Sequence, residues 1–301
     1  MNTFIAELEQ ANVGELFYNE PLSKHTTWKI GGPADLLILP KGKEELITIV
    51  KLLHKHGLGW TNLGRGSNML VSDKGVRGVV IKPANGFDYL RFEGTTAIAG
   101  ASYSFIKLSV LTGKQGLSGL EFAGGIPGTV GGAVYMNAGA HGSDVSRVFK
   151  YADIVLETGE LVRYVRENMR FSYRHTVLHE LKGFVLEAAF ELEEGDRIEI
   201  ASALASHKER RLRTQPLQLP CAGSVFRNPS GDFAARLIQE AELKGFQIGG
   251  AQVSELHANF IVNTGNATAR DVLALMSHIQ STVEQRFGVS LVPEVLVVGE
   301  R

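Results

Sequence analysis

The sequence predicts an α+β protein of more than one lobe, and three patterns carry that prediction. A strand-helix-strand alternation runs through residues 34–63, strand-like segments dominate the middle of the chain, and helix and strand alternate again in the last third. At 301 residues the chain is long enough for each lobe to bury a core of its own.

Residues 34–40 form a short apolar run suited to a strand buried on both faces. Residues 43–56 place Leu46, Ile49, Val50 and Leu53 at helical spacing, with Gly57 as a natural stop. Residues 60–63 resume a strand, so this β-α-β unit delivers the loop Gly64-Arg65-Gly66-Ser67-Asn68 from a strand end. Residues 76–82 and 95–99 read as strands and 103–112 as a short helix before a glycine-rich region. A second lobe is expected from residue 85; in it, segments 152–157 and 161–165 flank Thr158-Gly159-Glu160, a hairpin connection, and 184–192 is a further apolar run. Residues 196–213 read as a long amphipathic helix whose acidic start and basic end suit the helix dipole, with Pro216 stopping it. The expected division is therefore 1–84, 85–206 and 207–301. In the last lobe a strand near 224–226 precedes a helix at 233–243, a strand at 259–262, a long helix and a strand at 293–298. The long helix opens on a capping box, Thr268 and Asp271, buries a stripe through Val272, Leu275, Met276, Ile279, Val283 and Phe287, and ends at Gly288.

Composition excludes several classes. A net charge of -1 with interspersed signs offers no nucleic-acid face; Arg210, Arg211 and Arg213 read as a solvated helix end. One cysteine, Cys221, cannot form an internal disulfide and suits a reducing cytoplasm. The first ten residues lack the basic start and apolar core of a signal peptide, and the weakly charged stretch 122–140 is broken by Pro127 and glycines, so no membrane insertion is expected. The nine histidines assemble no local metal motif: His175 and His179 have helical spacing but no accompanying Glu, and His54 and His56 point to different faces of their helix as surface residues.

The chain has 34 glycines, clustered at 64–66 and 113–142, which suggests backbone held close to something. Neither a G-x-G-x-x-G after the first strand nor a G-x-x-x-x-G-K-[ST] is present, so the Rossmann and NTPase readings fail. What remains is Gly64 to Asn68 and the run Gly124-Gly125-Ile126-Pro127-Gly128-Thr129-Val130-Gly131-Gly132-Ala133, continuing to Asn137-Ala138-Gly139. Their successive N–H groups could form anion-binding nests, with Ser67, Asn68, Thr129 and Asn137 adding side-chain bonds; tight turns with crowded packing are the competing reading. Cys221-Ala222-Gly223-Ser224-Val225-Phe226-Arg227-Asn228-Pro229 places a hydroxyl after glycine without the G-x-S-x-G elbow of a hydrolase. Cys221 has no base nearby in sequence and reads as a small buried thiol. Phe171-Ser172-Tyr173-Arg174-His175-Thr176 interleaves aromatics and cations suited to a carboxylate or phosphate, or to an exposed loop. Glu294 opens the terminal strand, where carboxylates are either solvated or catalytic.

These motifs, taken in order with Thr26-Thr27-Trp28-Lys29-Ile30-Gly31-Gly32-Pro33-Ala34-Asp35 and the terminal Pro293-Glu294-Val295, resemble the bacterial UDP-N-acetylenolpyruvoylglucosamine reductases over nearly the whole chain. The resemblance implies a two-lobed FAD-binding fold of the vanillyl-alcohol-oxidase (PCMH) type plus a C-terminal α/β substrate-binding domain. It implies non-covalent FAD held by Gly64, Arg65, Gly66, Ser67, Asn68, Pro127, Gly128, Thr129, Gly131, Gly132, Asn137, Ala138 and Gly139. NADPH and the enolpyruvyl sugar nucleotide would be the small-molecule substrates of a cytoplasmic monomer. Arg174, Ser224 and Glu294 occupy the catalytic positions: hydride passes by way of flavin N5, Ser224 supplies the proton, and Arg174 and Glu294 stabilise charge. Tyr173, Arg174, Arg227 and Asn228 are the implied substrate contacts. The passage from residue 184 to 196 leaves no room for the tyrosine-bearing lid insertion of one family branch, so the chain resembles the branch without it.

Overall fold

The computed structural model of the protein describes residues 2–300. The chain forms two compact units: residues 1–17, 36–64 and 78–209 make the first, and residues 18–35, 65–77 and 210–301 the second. This grouping differs from the three consecutive lobes read from the sequence. Segments 1–84 and 85–206 share a unit, except that 18–35 and 65–77 belong with the C-terminal part. The later boundary falls inside the helix Arg197–Thr214.

Unit 1 holds two cores. In the first, strand residues 36–39, 60–62 and 78–81 accompany the helices Lys43–Lys55 and Asn2–Ala11. The N-terminal helix, unread in the sequence, contributes Phe4 and Leu8, four residues apart and fully buried on one face. His56, expected at the surface, is half-buried with its ring edge-on to Phe4 at 5.8 Å. The second core lies under an antiparallel sheet ordered Leu161–Val165, Phe149–Leu156, Gly183–Glu191, Thr96–Gly100, Leu90–Glu93. Gly159, at φ +84°, turns the hairpin between the first two.

A polar row crosses this second sheet in register. Arg163 faces Asp153, Asp153 faces Glu187, and Glu187 faces Gly100. Arg163 pairs with Asp153 at 2.7 Å, while Glu187, 8% exposed, takes bonds from Tyr89 at 2.6 Å and Arg91 at 2.9 Å. Burial and the Glu187 carboxylate push the Tyr89 phenol up to about 12. Burial alone would raise Glu187, but the bonds from Arg91 and Tyr89 hold it below the ordinary carboxylate range. A Cβ on Gly100 would lie 2.2 Å from the Phe87 carbonyl oxygen and 2.8 Å from the Tyr89 ring, so the row requires glycine there.

The helix Arg197–Thr214 departs from the amphipathic reading. Ile200 is its one fully buried residue, and Ile198 is 79% exposed. It docks instead through glycines: a Cβ would fall 2.8 Å from Ile200 at Gly113 and 2.7 Å from Leu204 at Gly124. These two members of the glycine cluster therefore serve helix packing, and the crowded-packing reading is correct for them.

Unit 2 packs the helices Ala234–Glu240 and Ala269–Phe287 around Trp28, beside an antiparallel sheet ordered Gln247–Ile248, Ala251–Val253, Ile261–Asn263. Strand Met69–Val71 pairs in parallel with Leu296–Val298. Trp28 is fully buried; its indole N–H donates to the Ile261 carbonyl at 2.9 Å, and the Asn263 amide donates to the Trp28 carbonyl at 3.0 Å. The long helix starts on the expected capping box, Thr268 Oγ1 accepting from the Asp271 N–H at 3.1 Å. Asp73 adds a second cap, its carboxylate accepting from the N–H groups of Ala269 at 2.8 Å and Arg270 at 3.0 Å. Two readings are corrected. Residues 224–226 form no ladder, because Gly223 at φ +75° interrupts the extended chain and leaves single bridges at Cys221–Val262 and Phe226–Pro293. The helix expected at 233–243 stops at Glu240, followed by Glu242 at φ +62°.

Candidate active site

The site residues expected from the sequence fall into two constellations, one in each unit. In unit 1, residues 128–131 run beside 101–105: the Phe105 N–H donates to the Gly128 carbonyl at 3.1 Å, and Val130 and Gly131 donate to Tyr103 and Ala101 at 2.9 and 3.0 Å. Thr129 caps the helix Val130–Tyr135, its hydroxyl accepting from the Gly132 N–H at 3.3 Å. Gly64 comes up against the same hydroxyl, since a Cβ there would lie 2.9 Å from it. The first glycine loop thus begins where the second one turns into its helix.

The Arg174 turn is mated to the end of that glycine stretch. Ser172 and His175 exchange backbone bonds of 3.1 Å, which closes a tight turn and puts Arg174 at φ +56°, a conformation that costs a non-glycine residue of order 1 kcal/mol. The Asn137 amide donates to the Ser172 carbonyl at 2.9 Å, Thr176 donates to the Tyr135 carbonyl at 2.8 Å, and Arg174 Nη2 donates to the Gly139 carbonyl at 2.8 Å. The Arg174 guanidinium also lies 5.1 Å from the ring centre of exposed Tyr173. Asn137 is 2% exposed and its Oδ1 accepts from the Ser146 N–H at 3.0 Å, so its side chain clamps this turn within the protein. His175 and His179 stack at 4.8 Å, and His179 packs at a tilt against Tyr135 at 4.3 Å. Among the described residues no group of three or more His, Cys, Asp or Glu could hold a metal ion.

In unit 2 the remaining expected residues meet at the backbone level. The Glu294 N–H donates to the Val225 carbonyl at 2.8 Å, and the Arg227 N–H donates to the Val292 carbonyl at 2.8 Å, so the Ser224 segment and the Glu294 segment run side by side. Asn68 joins them: its amide donates to the Glu294 carbonyl at 3.2 Å, and its carbonyl accepts from Leu296 at 3.0 Å. Ser224 and Glu294 are both half-buried. Arg227 is half-buried, with a buried Nε that has no partner among the described residues, while exposed Asn228 accepts from the Ala234 N–H at 3.1 Å. Burial pushes the Cys221 thiol up, with Arg211 partly opposing, which suits an unreactive thiol.

Sequence reasoning gave the segment 26–32 no structural role of its own. Thr27 donates to the Cys221 carbonyl at 2.7 Å and to the Gly66 carbonyl at 3.3 Å, tying the first glycine loop to the Ser224 segment. Its visible signal was a tryptophan between polar neighbours, which needs a partner for its N–H when buried.

The fit to a dinucleotide rests on backbone donors. Among the described residues, no protein acceptor takes the N–H groups of Arg65, Gly66, Ser67 or Asn68, and Gly66 sits at φ +66°. Four successive open donors around a left-handed glycine make a nest for anionic oxygen.

Comparison with known proteins shows the family of the chain. Residues 34–164 match the FAD binding domain family, which makes the chain an FAD-containing oxidoreductase with the vanillyl-alcohol-oxidase type of cofactor fold. Residues 215–298 match the C-terminal domain of UDP-N-acetylenolpyruvoylglucosamine reductase. The reductase of that name from Bacillus licheniformis is 50% identical over 302 residues, covering 100% of both chains, and that of Bacillus subtilis is 48% identical over 99% of each. The crystal structure of the Thermus caldophilus reductase superposes with a TM-score of 0.81 at 35% identity, covering 94% of this chain and 98% of that one. The chain belongs to the UDP-N-acetylenolpyruvoylglucosamine reductase family, whose role lies in peptidoglycan synthesis.

Proposed function

We propose that the protein uses NADPH and non-covalently held FAD to reduce UDP-N-acetylenolpyruvoylglucosamine to UDP-N-acetylmuramate, with Ser224 as the proton donor and Arg174 and Glu294 as charge stabilisers. The observation that carries the assignment of roles is the direct pairing of the Ser224 and Glu294 segments, joined by the 2.8 Å bond from the Glu294 N–H to the Val225 carbonyl and flanked by Asn68. A hydroxyl, a carboxyl and one end of an anion nest then share a common backbone frame.

FAD, when bound, supplies hydride acceptance from NADPH and hydride delivery to the terminal methylene carbon of the enolpyruvyl group. Gly64 to Asn68 and the stretch Pro127 to Gly139 are the segments that would hold it, chiefly through backbone N–H groups. Negative charge pushed onto the substrate carboxylate is met by the Arg174 guanidinium, whose fixed turn limits reorganisation. Tyr173, Arg227 and Asn228 would orient the sugar nucleotide. The Ser224 hydroxyl gives its proton to the adjacent carbanionic carbon, and water reprotonates the serine; a hydroxyl serves here because the acceptor is strongly basic. One NADPH and one proton are consumed per enolpyruvyl group reduced.

The test is a purified protein that is yellow, releases FAD on denaturation and oxidises NADPH only when the enolpyruvyl sugar nucleotide is present. A colourless protein with no releasable flavin, or oxidation indifferent to the sugar nucleotide, overturns the reading.

A further inference from the structure

We infer that Asn259 is a positioning residue that sets the register of Ser224 against Glu294, a role that rests on the function proposed above. The Asn259 side chain is 4% exposed and grips Phe226 at both of its backbone groups: Oδ1 accepts from the Phe226 N–H at 3.0 Å, and Nδ2 donates to the Phe226 carbonyl at 2.8 Å. Its own carbonyl accepts from the Val225 N–H at 2.9 Å. One residue therefore supplies three bonds to two consecutive residues directly after Ser224.

The need for such a clamp comes from Gly223. Its left-handed φ of +75° breaks the extended chain, so the segment keeps one bridge at Cys221 and no ladder beyond it. The Asn259 amide stands in for the missing strand partner, presenting an acceptor and a donor as a backbone peptide would. On its opposite edge the clamped segment carries the other half of the site: Phe226 bridges Pro293, and Val225 accepts from Glu294. A shift of Phe226 would move Ser224 and Glu294 relative to each other. Misplacement of reacting groups by about 1 Å costs on the order of 10²-fold in rate.

Two variants test this. Asn259→Asp keeps the shape and the acceptor but turns an acceptor toward the Phe226 carbonyl; Asn259→Ala removes both contacts. Amide hydrogen exchange, read by mass spectrometry on peptides covering 223–227 and 292–296, reports placement without turnover. Exchange is expected to quicken about tenfold in both peptides together, with the helix Ala269–Phe287 unchanged. In stopped-flow assays on the flavin-loaded protein, reduction by NADPH should stay within about threefold, while reoxidation by the enolpyruvyl sugar nucleotide should slow by roughly 10²-fold at little-changed KM. Quickened exchange at 223–227 with 292–296 unaffected overturns the inference, as does equal slowing of both half-reactions. If the native protein fails to reduce the sugar nucleotide at all, the proposed function falls, and the exchange result still decides whether Asn259 sets the register.

Discussion

Replacing Gly64 by Ala tests whether the two glycine loops meet at Thr129 as the structure has them. The new Cβ would lie 2.9 Å from the Thr129 hydroxyl oxygen, about 0.5 Å inside ordinary contact. Gly64 has no positive φ, so the alanine is unstrained in its backbone and the whole effect passes through that contact. Thr129 can escape by rotating its side chain, and in doing so it gives up the 3.3 Å cap on Gly132. Loss of a threonine cap costs about 1 kcal/mol, so Gly64→Ala should cost about 1 kcal/mol, as should Thr129→Ala. The double variant should then also cost about 1 kcal/mol instead of about 2, because the cap can be lost only once. Scanning calorimetry can resolve this: about 1 kcal/mol corresponds to a fall of roughly 2–4 °C in Tm for a unit of this size. A double variant that falls by the sum of the single changes refutes the contact.

Ser224→Ala should bind FAD and accept electrons from NADPH at close to the native rate while the second half-reaction falls by about 10²- to 10⁴-fold in stopped-flow measurements; equal loss in both halves would speak for structural damage. Glu187 is held below 4.5 in the folded protein, so its bonds stabilise the fold above its unfolded pKa and that contribution disappears as pH falls through the folded value. Glu187→Gln should accordingly be less stable than the native protein at neutral pH in urea titrations, with the gap closing as acid protonates the Glu187 carboxylate. Asp73→Ala should lower stability by about 1 kcal/mol by denaturant titration, having uncovered two N–H groups of the long helix, and Thr268→Ala by a similar amount.

The parts of the fold legible in the sequence are those fixed by neighbours in sequence. Lys43–Lys55 was readable because its period and a terminating glycine agree, and Ala269–Phe287 because period, cap and terminating glycine agree within the segment. The N-terminal helix escaped because Phe4 and Leu8 are too few to establish a period. Segments 18–35 and 65–77 join the C-terminal unit through partners about 200 residues away, such as Trp28 with Ile261 and Asp73 with Ala269, and no local pattern announces such pairings. The site shows the same division. Ser224, Arg174 and Glu294 are proposed through the order of whole motifs, each having an ordinary reading by itself. Asn259 gave no sign at all, because its value lies in imitating a peptide group for a strand that Gly223 interrupts. Glycine clustering mixed two causes: the open donors around Gly66 fit a ligand, while Gly113 and Gly124 make way for a helix.

The polar row across the five-stranded sheet has an evolutionary consequence. Among the described residues Glu187 takes its side-chain bonds from Tyr89 and Arg91, and they reach it across a bare Gly100. A single replacement strands a buried charge or drives a side chain into the Phe87 carbonyl, whereas an apolar quartet of matching shape would serve the sheet as well. These four positions should therefore be inherited as a block: among descendants of this chain they are expected to change together or not at all, while exposed Leu161 and Val165 at the sheet edge drift one residue at a time.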